Sequence, residues 1–418
     1  MKLHKFKQNL NIIFSLFIGL IIGYFLFGNI YILYEKKKDA VEEPYYAYYV
    51  NNTNTREMPN KSSGLTLDTA KSSCTSGVTI SWNDNNWQAI LDYNNYQNNS
   101  TTRTKCTLYF KTKPTAVTIL NNLVSGANKS STNVYTVPNK TSGSCTYTLA
   151  YDGTSDNNLR YVGANPCNYV TFNGEKAGWR IIGILNTPEG QRIKLIRANS
   201  IGSFRWDDTS KSRYGFNDWT TSKLKEMLNN GAYYNRDSEK CKVALSSSLC
   251  DFASNGLTEI AKNQIDTITW KLGGAPTGSS PIPSQFYTYE RGRTVYTGRP
   301  TEWQGKVGLM YPSDFGYATS GGGTSNRTKC LESFTFWSAS SYSFCKNNDW
   351  LYFGKSQWTL TSVSNNDFNV FFIYKSTSLS YSSASDYNDV SPSVYLKSST
   401  TISSGEGTPE KPYVLSVQ

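Results

Sequence analysis

A long apolar stretch opens the chain. Leu10 to Phe27 carries no charged residue, and the apolar character continues to Tyr34. About 20 apolar residues cross the hydrocarbon core as a helix, so this pattern predicts a single transmembrane segment. A cleaved signal peptide has a shorter apolar region and small residues before the cut. Here the run ends in Ile30, Tyr31, Ile32, Leu33 and Tyr34, and an uncleaved signal anchor is expected over residues 1–34. Lys2, Lys5 and Lys7 before the run balance Lys36, Lys37 and Lys38 behind it, so the positive-inside rule is undecided. All eight cysteines lie beyond the segment. That places the N-terminus in the cytoplasm and the rest outside the plasma membrane.

Beyond the anchor, residues 35–63 lack hydrophobic periodicity and read as a stalk. Residues 64–118 read as a small all-β module. Its strands are expected at Val78–Trp82, Trp87–Leu91 and Cys106–Phe110, with Asn-rich turns at 83–86 and 94–102. Trp82 and Trp87 could face a sugar, but at this size core packing is the expected role. Residues 119–143 form a Ser/Asn/Thr-rich connector. A final domain, 144–418, follows. In it Gly178–Leu185 and Gln191–Arg197 predict a hairpin around Asn186–Gly190. A short helix is expected over Ser222–Asn229, with Leu224, Met227 and Leu228 on one face, a cap at Thr220 or Thr221, and Gly231 ending it. Another is expected over Leu257–Ile265. Residues 270–325 suggest long loops on a β frame, and strands return at Val370–Tyr374, Val394–Leu396 and Pro412–Leu415.

The 418 residues include 14% aromatics against only 17% charged residues, enough ring area to bury a core. Residues 1–38 hold six lysines and one glutamate, leaving +6 of the +11 net charge for the remaining 380 residues. No basic stripe emerges, so no nucleic-acid partner is expected. The one histidine, His4, precedes the apolar run, which excludes histidine-based catalysis and histidine-bearing zinc sites in the folded part. The cysteine positions suggest four local couples: Cys74–Cys106, Cys145–Cys167, Cys241–Cys250 and Cys330–Cys345.

Several segments recur together in a recognisable order. Cys145 through Gly153, Asn165–Asn168 and Gly178–Ile182 come first. Asn217–Thr220, Trp270–Gly274, Trp303–Asp314, Trp358–Leu360, Ser391–Lys397 and Gly405–Leu415 follow. Together they resemble a family of bacterial surface proteins of unknown function found in Firmicutes, over about residues 145–415. Where that family has an Arg-Pro pair before its last Tyr-Leu, this chain has Ser391-Pro392. The resemblance implies a C-type-lectin-like domain, hence an α+β architecture overall, and a surface location. It implies no reaction.

No motif for chemistry stands out. Asp207, Asp208, Glu302 and Asp314 are carboxylates of the kind glycosidases pair. Asn347–Trp350 and Asn365–Asp367 offer oxygen ligands of the kind calcium takes, and as plain loop residues they need no such role. Gly321–Gly323 lacks the Lys-Ser/Thr of a phosphate loop. No cofactor, no metal and no enzymatic activity are expected. Between the last long strand and the closing strands lies a Tyr/Ser/Asn-rich stretch of the kind that suits adaptable recognition. Tyr374, Tyr381, Asp386, Tyr387 and Asn388 are the expected contacts for an extracellular glycan or protein ligand. A structural envelope component and a cell-wall hydrolase are the alternatives, and the oligomeric state is not legible.

Overall fold

The computed structural model describes residues 44–61, 63–83, 86–96, 104–131, 133–138, 144–208, 214–237, 251–278, 281–323, 326–333, 340–375 and 379–417. The expected anchor over residues 1–34 and the couple Cys241–Cys250 lie outside the described residues. Among the described residues no helix is long and apolar enough to cross a membrane.

Among the described residues strand takes 38% and helix 17%, in many small sheets. The expected α+β, C-type-lectin-like architecture is therefore corrected to a chain made mostly of sheet. The reason is the length of the helices. The longest described one, Pro283–Arg291, has nine residues. The two helices legible in the sequence shrink to Lys223–Asn229 and Glu259–Gln264. The first is capped by Ser222, whose Oγ accepts from Lys225 N–H at 3.1 Å, one residue later than expected. Leu224, Met227 and Leu228 are buried as their spacing predicts.

In the N-terminal sheet, Tyr45–Val50 runs parallel to Lys105–Thr112. Leu65–Leu67 and Ser73–Cys74 pair antiparallel with the same strand. The tyrosine cluster of the expected stalk is thus a sheet strand, and Tyr46, Tyr48 and Val50 pack on Leu65, Leu67, Leu108 and Phe110. Trp82 and Trp87 meet edge to face at 4.9 Å and both pack on Phe110. They are half-buried and pack against the core of this unit.

The largest sheet has eleven strands. Its central run places Ser393–Tyr395, Gly190–Arg197, Glu175–Thr187, Leu159–Tyr161 and Thr148–Tyr151 side by side. Two strands of the expected connector, Asn128–Lys129 and Val134–Thr136, extend it at one edge. The predicted hairpin is present, with Thr187 opposite Gly190. Successive side chains of a strand point to opposite faces, and here both faces are covered. Ile193 and Leu195 enter one apolar cluster while Ile196 enters another, and Ile181 and Ile182 divide in the same way. A five-stranded sheet orders Ser203–Arg205, Tyr387–Asp389, Gln357–Ser362, Asn369–Ile373 and Leu379–Ser383. It sends Val370 and Phe372 to the first cluster and Phe371 and Ile373 to the second.

Disulfides join Cys74 to Cys106, Cys145 to Cys167 and Cys330 to Cys345. The last closes a separation of 15 residues, for which chain entropy gives about 3 kcal/mol. The double variant Cys330→Ser, Cys345→Ser is expected to lose stability of that order, read from its urea midpoint. An unchanged midpoint would show that the bond adds nothing to an already ordered segment.

Candidate functional site

The structure separates the five residues expected to bind a ligand. Asn388 is 6% exposed and pairs through its backbone with Phe204, so it leaves the expected surface. Tyr374, Tyr381 and Tyr387 are 40%, 45% and 47% exposed, but they do not form one patch. Tyr381 lies opposite Phe371 and meets its ring edge to face at 6.0 Å, whereas Tyr374 meets Phe372. Phe371 and Phe372 are strand neighbours, so the two tyrosines sit on opposite faces of the sheet. Tyr387 stacks under the Arg205 guanidinium at 4.9 Å, with two strands between its own strand and that of Tyr381. Exposed Asp386 accepts a hydrogen bond from Ser382 Oγ. Tyr381 and Ser382 are consecutive residues of Leu379–Ser383, an edge strand of its sheet, and so face opposite sides, with Asp386 on the side of Ser382.

The other expected candidates hold the fold. Asp207 accepts from the backbone N–H of Phe216 and of Lys223, and Glu302 pairs with Lys271. Asn365 and Asn366 accept from the backbone of Thr277, Phe368 and Asn369. Asp349 is buried and accepts from Leu351 N–H, and desolvation raises its pKa well above the carboxylate range. Among the described residues no three His, Cys, Asp or Glu side chains converge to hold a metal.

The chemistry that sequence reasoning missed is a buried cluster of charge around Asp314. Three positions register across adjacent strands: Arg160 opposite Gly183, and Gly183 opposite Lys194. Tyr395 continues the row beyond Lys194. Glycine is required in the middle, because a Cβ on Gly183 would stand 2.3 Å from the Leu159 carbonyl oxygen. Asp314, on the short helix Pro312–Tyr317, bridges the two cations. Its Oδ1 accepts from Arg160 Nη1 at 2.7 Å and its Oδ2 from Lys194 Nζ at 2.6 Å. Oδ2 also accepts from Tyr311 N–H at 2.9 Å, which caps the helix. Arg160 Nε donates to Asp152 at 2.9 Å. All four charged side chains are at most 1% exposed.

Aromatic rings enclose the lysine. Its Nζ lies 5.2 Å from Trp270, 4.3 Å from Tyr311 and 5.4 Å from Tyr395, within cation–π range. A second acid, Glu290 on the helix Pro283–Arg291, accepts from Ser313 N–H at 2.9 Å and from Ser313 Oγ, and pairs with Arg291 at 3.2 Å. Burial pulls Lys194 down to about 8 against the attraction of Asp314. Burial also works to raise Asp314, but Lys194 and Arg160 outweigh it and hold the carboxylate well below its usual range. For Glu290 desolvation wins over Arg291 and Ser313 and lifts it to about 7.

No family model, curated protein or solved structure matches the chain.

The Glu290 environment sets a pH dependence. In the unfolded chain this acid ionises near 4.5, in the folded protein near 7. Between those values the unfolded state releases a proton that the folded state keeps, so this group's contribution to stability falls as pH rises through that window. Glu290→Gln is expected to flatten that part of the profile, measured as urea midpoints of both proteins at about pH 5 and about pH 7.5. A parallel fall in both would place the titrating group elsewhere.

Proposed function

We propose that the protein is a membrane-anchored extracellular binding protein whose ligand contacts run along the edge strand Leu379–Ser383. The observation that carries this reading is the composition of that edge. It offers five residues at the border of a five-stranded sheet, with exposed Tyr381 between Ser380 and Ser382. An edge strand presents unpaired backbone donors and acceptors. An extended segment of a partner protein can add to such an edge, with backbone bonds giving affinity and a side chain such as Tyr381 giving selectivity. The scaffold behind it is rigid, because Phe371 and Ile373 of the neighbouring strand are buried in a core cluster. The charge-free run from Leu10 to Phe27, with three lysines before it, supports the anchor. The three disulfides support an oxidising, extracytoplasmic location for the rest.

A screen of the exterior part against displayed peptides and a glycan array is expected to return extended peptides. Tyr381→Ala should weaken binding by about 1–2 kcal/mol. Tyr374→Ala, on the opposite face, should not weaken it. Both should keep the melting behaviour of exposed substitutions, within about 0.5 kcal/mol. Equal losses from both variants, or binding of glycans alone, would contradict recognition along this edge. For the anchor, protease added to intact cells should remove the mass beyond Asp39. A soluble product beginning near Asp39 would show instead that the segment is cleaved.

A further inference from the structure

From the geometry around Lys194 and Asp314 we infer that these side chains condense into an intramolecular amide, an autocatalytic cross-link between the strand Gly190–Arg197 and the helix Pro312–Tyr317. The nucleophile already touches the carboxyl it would attack: Nζ lies 2.6 Å from Oδ2, an oxygen on the electrophilic Cγ, with both side chains 0% exposed. Holding two reactants in such contact removes most of the entropy cost of joining them.

The reaction needs no outside reagent. Lys194 Nζ passes one proton to Asp314 Oδ2, giving an amine and a carboxylic acid. The nitrogen lone pair attacks Cγ and the C–N bond forms. A second proton moves from nitrogen to Oδ2, the Cγ–Oδ2 bond breaks, and Oδ2 leaves as water. Nothing is oxidised or reduced. Oδ1 remains as the amide oxygen. Arg160 Nη1, 2.7 Å from Oδ1, is placed to stabilise the negative charge that develops there during attack.

Charge balance points the same way. Asp314 is paired with both Lys194 and Arg160, and Arg160 is also paired with Asp152. Condensing Lys194 with Asp314 removes two fully buried charges, whose desolvation is expensive, and leaves Arg160 its Asp152 partner. The product would staple positions 120 residues apart, which no disulfide among the described residues does.

The test is the mass of the purified full chain, reduced and denatured, followed by peptide mapping. The expected result is a mass lower than the sequence mass by one water, with one branched peptide containing Lys194 and Asp314. Lys194→Met should restore the water and separate the two peptides, and this readout does not require that the variant fold. A full sequence mass with separate peptides would overturn the inference. So would a water loss mapped to another residue, as from a succinimide.

Discussion

One carboxylate shared by two cations organises the larger part of this molecule. Asp314 sits on a helix too short to be stable alone, and its side chain accepts from Arg160, Lys194 and the N–H of Tyr311, the residue that caps the helix. Those three bonds join two strands of the central sheet to the chain that leads into the second sheet. The arrangement places Arg160 and Lys194 on either side of Gly183, where a Cβ would strike the Leu159 carbonyl oxygen. Removing one partner of a buried pair typically costs about 3–5 kcal/mol, because the other charge is stranded without water. The cluster is therefore a constraint on the fold: the helix Pro312–Tyr317 cannot drift from the sheet without leaving Arg160 or Lys194 uncompensated.

Local features of this fold were legible in the sequence. The hairpin after Gly178 follows from apolar runs on either side of a Pro-Glu turn, and the helix at Lys223–Asn229 from its cap and the spacing of Leu224, Met227 and Leu228. The three bonded couples follow from cysteines close together in the chain. The strand Tyr45–Val50 was not legible, because its partner is Lys105–Thr112 and the alternation of tyrosines with Ala47 is weak. The overall class was misjudged because α+β was taken from the family resemblance, while the helix signals themselves marked only short helices.

The charged cluster hides for a different reason. Asp314 attracted notice by its chemistry only as one of four carboxylates of the kind glycosidases pair, and Arg160 not at all, since their contact joins positions 154 residues apart. One signal was available. In Arg192–Arg197, Ile193 and Leu195 alternate with Lys194 and Ile196, so a lysine shares the face of a buried isoleucine. A charged residue on such a two-sided apolar strand needs a buried counter-ion, although periodicity cannot say which one. The recognition stretch shows the reverse limit. Composition found exposed tyrosines, but only strand register shows that Tyr374 and Tyr381 face opposite ways and that Asn388 faces inward.

The account's central claim is that the Asp314 cluster binds helix and sheet into one cooperative unit. Native-state hydrogen exchange of the backbone amides tests it directly. The amides of Lys194, Arg160 and Ala318, the last donating to Phe315, should exchange only through global unfolding, with one common opening free energy. If Ala318 and its neighbours exchange through a local opening while the strands stay protected, the helix is not held by the cluster and the claim fails.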